Sequence, residues 1–207
     1  MEKYIYINKK SLSPEVCCDL IELFENEERK YDGVTHGGVQ KNIKDTKDFI
    51  IPENEPKWYK YYQLFHNELT RNLQLYLNKL NKNDSFKNEN QNTTSVYKYF
   101  ENTTISQSIF MIQRYIMNEG RYVYHNDFSI DLKNKKNRVI TYLWYLNDVL
   151  EGGETDFPDL NLKVKPETGK LVLFPATWDF PHCGKMPISS NKYIVTGWLY
   201  MDILNKQ

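Results

Sequence analysis

The sequence predicts an α+β fold, a β-sandwich or jelly roll in the second half buttressed by helices from the first. Two observations carry this reading. The hydrophobic period is near 3.6 where the first half has long apolar stripes, and it changes to 2 from Ser106 onward. The later strands are short and separated by turn signals, as in a sandwich. A length of 207 residues suits one domain. Within it, 1–105 reads as helical support and variable loops, and 106–203 as the jelly-roll core.

Taken in order, Tyr4-Ile5-Tyr6-Ile7 is a short strand candidate. Ser13 caps a helix whose first turn holds Pro14, where a missing N–H costs least. Val16, Leu20, Leu23 and Phe24 share one face of it, and Glu25 to Lys30 carry it into solvent. Tyr31 to Ile51, with Gly33, Gly37 and Gly38, reads as a loop with a short strand. A second helix is expected from about Pro56 to Leu80, because Tyr62, Phe65, Leu69, Leu73, Tyr76 and Leu80 form one apolar stripe. The Asn- and Lys-rich stretch that follows, within 81–104, reads as a surface loop.

From Ser106 to Ile116, alternation puts Ile109, Met111, Gln113 and Tyr115 on one face. Arg138 to Leu146 is a strand of β-branched and aromatic residues. Pro166 to Gly169 is a turn joining Leu162–Val164 to Lys170–Phe174, and Tyr193 to Met201 is the final strand.

Lys+Arg and Asp+Glu are both 27, so no global field favours nucleic acid or an anionic membrane. The 14% aromatic content, including 16 Tyr, can build a core, so a mean hydropathy of −0.68 does not signify disorder. The opening Met1–Ile5 has no charged-then-apolar leader, and no apolar run approaches the roughly 20 residues of a membrane helix. Cys17, Cys18 and Cys183 lack the paired spacing of a zinc knuckle. A reducing, cytoplasmic setting is the expectation.

The chemistry is concentrated in His125-Asn126-Asp127, His182 and Lys192. Residues two apart on a strand share a face, so His125 and Asp127 can reach one ion together. A second imidazole from a distant strand would complete two nitrogens and one carboxylate. That set leaves adjacent positions open and is typical of non-haem Fe(II) oxygenases. Zinc on the same ligands is chemically possible, but no HExxH-type base accompanies it. Lys192, ten residues past His182, returns a cation near the ligand, and a buried Lys needs an anion to meet it.

At these residues the chain resembles the 2-oxoglutarate- and Fe(II)-dependent dioxygenases, and among them the prolyl 4-hydroxylase-like branch. The matching stretches are Gln113-Arg-Tyr115, Tyr122-Val-Tyr-His125-Asn-Asp127, Arg138 through Asn147, Glu151-Gly-Gly-Glu-Thr-Asp-Phe-Pro158, Gly169 through Phe174, and His182 through Lys192 to Trp198. The resemblance implies a double-stranded β-helix and a catalytic set of His125, Asp127, His182 and Lys192. In it His125, Asp127 and His182 ligate iron, and Lys192 pairs with the distal carboxylate of 2-oxoglutarate. Tyr115 matches a phenol that hydrogen-bonds the co-substrate, and Thr155 a threonine that helps hold the distal carboxylate, a place Tyr145 could take instead. Tyr122, Arg138 and Trp198 match positions on the substrate side.

The family's final strand usually reads Trp-x-His, where this chain has Trp198-Leu-Tyr200. Trp144, Trp178, Phe174 and Trp198 are candidates to shield the pocket. The implied reaction consumes O₂ and 2-oxoglutarate, releases succinate and CO₂, and hydroxylates an aliphatic C–H, most plausibly of a prolyl residue in a polypeptide; ascorbate is expected to support it. The alternatives are the same chemistry on a free amino acid or other small molecule, and a metal-retaining jelly roll that only binds peptide.

Overall fold

The computed structural model describes residues 4–82 and 105–202. In chain order β1 (Tyr6–Asn8), α1 (Pro14–Glu25), β2 (Tyr31–Asp32), β3 (Val34–Thr35), β4 (Gly38–Val39), β5 (Lys44–Asp45), β6 (Lys47–Ile50) and α2 (Pro56–Lys82) come first. Then follow β7 (Ile105–Gln107), β8 (Met111–Tyr115), β9 (Arg121–His125), β10 (Ile130–Asp131), β11 (Lys136–Tyr145) and β12 (Thr155–Phe157). The last are β13 (Leu162–Val164), β14 (Leu171–Pro175), β15 (His182–Gly184) and β16 (Lys192–Asp202).

Among the described residues the major sheet runs β1-β14-β11-β16-β8-β6-β2, with β10 paired to β11 and β7 to β16. The minor sheet runs β13-β12-β15-β9-β5, and every pairing is antiparallel. The two sheets face each other as a double-stranded β-helix, the expected jelly roll. Both faces of the major sheet are covered, which is why its central strands are nearly continuous in apolar residues. Tyr142, Trp144, Leu171, Leu173, Tyr193, Val195 and Leu199 point to the helices. Their alternates Leu143, Tyr145, Val172, Phe174 and Ile194 point between the sheets.

Both helices form, but the first stops at Glu25 with Asn26 as its C-cap, so the stretch to Lys30 does not carry it on into solvent, and Glu27 is buried. The Ser13 hydroxyl accepts from Val16 N at 3.4 Å, and Pro14 opens α1. The buried stripe of α2 carries Trp58, Tyr61, Phe65, Leu69, Tyr76 and Leu80. It also carries Asn72, while Leu73 is only partly buried. A polar thread explains the Asn: its Oδ1 accepts from Tyr6 Oη at 3.0 Å and Asn8 Nδ2 at 2.8 Å, and its Nδ2 donates to the Glu68 carbonyl at 2.7 Å.

The Pro166–Gly169 turn is present, with Gly169 at φ +77°, and the Gly169 carbonyl accepts from Ser11 N and Leu12 N. A Cβ there would collide with the Leu12 carbonyl oxygen, so the turn needs glycine on both counts.

Three expectations change. The first half is more than helical support, since β1, β2 and β6 extend the major sheet and β5 the minor one. Ile109 falls in the link between β7 and β8 and is exposed, so the shared face of β8 is Met111, Gln113 and Tyr115. The second helix extends to Lys82, so it includes the first residues assigned to the 81–104 loop. The rest of that loop lies outside the described residues. Among the described residues no helix is long and apolar enough to cross a membrane, and all three cysteines are free.

Phe110 stands at the centre of the helix–sheet core, with Tyr62, Phe65, Tyr142 and Trp144 at ring distances of 5.2 to 6.3 Å. Phe110→Ala is expected to cost roughly 3–5 kcal/mol. For a chain of this size that lowers Tm by roughly 6–20 °C, read by calorimetry.

Candidate active site

The site is built where the minor sheet faces the major one. His125 ends β9 and pairs directly with His182 on β15, so the two imidazoles leave the same face, with ring centroids 4.4 Å apart. Asp127 follows two residues after His125. Its Oδ1 lies 3.8 Å from His125 Nε2 and its Oδ2 3.6 Å from His182 Nε2. One donor atom from each residue lies within 4.8 Å of the others, close enough to hold a single ion.

Local hydrogen bonds set the protonation. His125 Nδ1 is 2.8 Å from the Val123 carbonyl and His182 Nδ1 is 3.1 Å from the Phe180 carbonyl. A carbonyl can only accept, so each Nδ1 carries a proton and each Nε2 is turned toward Asp127. Burial pushes His125 down to about 4, and His182 adds to the fall. Burial works to raise Asp127, but the two histidines and the Thr141 hydroxyl outweigh it and hold the carboxyl below its ordinary value. Two imidazoles and one carboxylate on one side of a cavity fit a non-haem Fe(II) ion.

Lys192 lies across the same cavity, on β16, and is 1% exposed. Its Nζ donates to the Gly153 carbonyl at 3.0 Å and the Lys185 carbonyl at 3.4 Å, and it sits 3.9 Å from the centre of the Tyr115 ring. No described carboxylate pairs with it, and burial pulls its pKa down to about 7. Gly184 keeps the approach open. A Cβ there would stand 3.3 Å from Tyr115 Oη and 3.5 Å from Lys192 Nζ, occupying the room an anion needs.

The cavity has a volume of about 340 Å³, and the triad, Lys192, Tyr115 and Thr155 all line it. Tyr145 does not. It stands behind Thr155, with its hydroxyl 2.6 Å from Thr155 Oγ1 and 3.2 Å from the Val164 carbonyl. On the open side, Tyr122 stacks on His125 at 3.5 Å, and the Arg138 guanidinium lies 3.7 Å over the Trp198 ring. Tyr200, at the Trp-x-His position, accepts from Arg138 Nε at 3.1 Å. Of the aromatics expected to shield the pocket, Phe174 and Trp198 line it. Trp144 is in the helix-side core, and Trp178 is 69% exposed.

Residues 110–200 match the family model of the 2OG-Fe(II) oxygenase superfamily. These residues are similar to a 2OG-Fe(II) oxygenase domain. The probable prolyl 4-hydroxylase 3 of Arabidopsis thaliana is 36% identical over 110 residues, covering 39% of this chain and 38% of that protein. A candidate prolyl 4-hydroxylase of Acanthamoeba polyphaga mimivirus is 25% identical over 209 residues, covering 93% of this chain and 72% of that one. The chain thus spans little more than a third of the plant relative and most of the viral one. A Trichoplax adhaerens prolyl hydroxylase, solved with a hypoxia-inducible-factor peptide fragment, shares the fold at a TM-score of 0.66 and 19% identity, over 97% of this chain and 84% of that one.

Several residues of the cavity escaped the sequence reading. Lys44 and Asp48 come from β5 and β6, and Val34, Thr35 and His36 from the β3–β4 hairpin. Strands of two to four residues show no readable period, and inward-facing charge disguised β5 and β6 as loop. Gln113 was placed on the correct face but given no part to play. Thr141 was also missed: its Oγ1 donates to Asp127 Oδ2 at 2.7 Å. The signal for Thr141 was a short aliphatic hydroxyl within the apolar run of β11. Thr141→Val is expected to weaken Fe(II) binding roughly 10–100-fold in a metal titration, since the carboxylate loses the donor that orients it.

Proposed function

We propose that this chain is an Fe(II)/2-oxoglutarate-dependent dioxygenase that hydroxylates a prolyl residue of a peptide or protein, with release of succinate and CO₂. One observation carries the reading: a two-His, one-carboxylate set and a buried Lys192, with no carboxylate partner among the described residues, line one cavity. A dicarboxylate such as 2-oxoglutarate meets both demands at once.

His125, Asp127 and His182 would hold the iron, which when bound activates O₂ with electrons from 2-oxoglutarate. Lys192 Nζ would receive the distal carboxylate, and its charge returns as the anion replaces the lost solvation. Thr155 stands beside that carboxylate, backed by Tyr145. Phe174 and Trp198 keep water from the reacting centre. Tyr122, Arg138 and Trp198 would flank the substrate at the open side, where aromatic faces suit a pyrrolidine ring. The likeness to a probable prolyl 4-hydroxylase, and in fold to a prolyl hydroxylase solved with a peptide fragment, favours a peptide over a free amino acid. Ascorbate would keep the iron reduced.

The test is incubation of the full chain with Fe(II), 2-oxoglutarate, O₂ and ascorbate, with proline-containing peptides and free amino acids supplied in parallel. Succinate formation with a one-oxygen mass gain on a prolyl residue is expected. Mass gain on a free amino acid alone would move the substrate to the small-molecule class. Metal binding without succinate would make the chain a binding module.

A further inference from the structure

Phe128 lines the cavity, and the Trp178 ring meets it edge to face, with centroids 5.3 Å apart and an interplanar angle of 78°. Both rings are held by the segments that carry the triad. Phe128 follows Asp127 directly, and its N–H donates to Asn126 Oδ1 at 3.2 Å. Trp178 sits in the link from β14 to β15, between the buried Ala176 and Phe180. The Ala176 N–H donates to the Val139 carbonyl of β11 at 3.0 Å, and the Phe180 N–H closes a turn on the Thr177 carbonyl at 3.2 Å. The link is therefore anchored on both sides of Trp178, yet Trp178 is 69% exposed and Phe128 37%. An indole left that open contributes little burial to the fold. A large amphipathic ring fixed beside a cavity is instead suited to recognition.

We propose that Phe128 and Trp178 form a second subsite, at the edge of the cavity, that takes an apolar side chain of the peptide flanking the reacting prolyl residue. This rests on the reading that the cavity takes that prolyl residue, and it narrows the substrate to peptides with an apolar flank. Centroids 5.3 Å apart span about two residues of an extended chain, at about 3.1 Å per residue. A pair that starts beside Asp127 thus reaches from the prolyl residue to its neighbours. The two rings, close to perpendicular, make an apolar corner. An aliphatic side chain entering it removes its own surface and that of both rings from water, whereas serine or glycine gains little there. A free amino acid has no flank to place in the corner.

The test uses nine-residue peptides with a central proline in a serine–glycine background, with or without leucines on the flanks. Binding to the full chain is read by calorimetry and by iodide quenching of tryptophan fluorescence. Trp58 and Trp144 are closed to solvent, so iodide reports chiefly on Trp178, and Trp178→Phe corrects for the half-buried Trp198. The leucine-flanked peptide is expected to protect Trp178 from iodide and to bind about tenfold more tightly than the serine–glycine one. In Trp178→Ser, whose exposed position spares the fold, that advantage is expected to shrink below about threefold. Equal affinity of the two peptides for the unaltered chain would overturn the inference. So would a tenfold advantage that survives in Trp178→Ser, or a loss of the same size for both peptides, which a merely structural role would give. The two readings fail separately. Hydroxylation of both peptides with equal KM would keep the proposed activity and overturn the subsite; iodide protection by the leucine-flanked peptide, without succinate when Fe(II), 2-oxoglutarate and O₂ are supplied, would keep the subsite and overturn the activity.

Discussion

Asp127→Ala is expected to abolish 2-oxoglutarate turnover and to weaken Fe(II) binding more than about 100-fold, beyond the range seen when only a ligand's supporting partner is lost. Asp127 supplies the one negative charge of the set and the oxygens that face both imidazoles. Without it, His125 and His182 remain as two neutral donors on adjacent strands, too few to hold a divalent ion firmly. The fold should survive, because the residue lies beyond the end of β9 and outside both apolar clusters. Circular dichroism and a metal titration on the same sample read the two effects separately. Asp127→Asn sharpens the comparison, since it retains an acceptor for Thr141 while removing the charge. Wild-type metal affinity in either variant would remove Asp127 from the site.

Lys192→Met is expected to raise the apparent KM for 2-oxoglutarate roughly 10–100-fold, the equivalent of one charge-assisted hydrogen bond in a dry site. Peptide KM should change far less. The wild type should also show a pH dependence that the variant lacks. Tyr115 faces Lys192 from β8, Cys183 lies on β15 and Glu154 just before β12, and burial outweighs the latter two to set its pKa at about 7. Below that pH the ammonium is already charged and binding takes up no proton. Above it the amine must gain a proton to meet a carboxylate, so Kd rises with pH, approaching tenfold per unit until the raised pKa of the complex is reached. Titrations at several pH values check this; a Kd indifferent to pH above about 7 would mean that Lys192 stays charged in the empty pocket.

The cluster of His125, Asp127 and His182 was legible because its residues are few and chemically distinctive. His125 and Asp127 sit two apart, and the turn before Lys192 announces the return of β16. The period-2 stretches likewise exposed β11, β14 and β16. What could not be read was the contribution of residues 31–50. Lys44 and Asp48 look like surface charges in a loop, and only the pairing of β5 with β9 and of β6 with β8 brings them inward. Gln113 and Thr141 were visible as polar residues in strands, but their meaning depends on neighbours far along the chain. Tyr145 shows the reverse case. Its type suits a co-substrate ligand, yet the register of β12 puts Thr155 in front of it.

The placement of the carboxylate has a mechanical consequence. His125 and His182 belong to the minor sheet, whereas Asp127 is moored by Thr141 on β11 of the major sheet. An ion held by all three therefore acts as a cross-tie between the two layers of the jelly roll. Folding and metal occupancy become thermodynamically linked, so that saturation at about 100 times Kd adds about 2.7 kcal/mol to the cohesion of the layers. A chelator should then do more than empty the site: it should lower the melting temperature and loosen amide exchange first along β9 and β15.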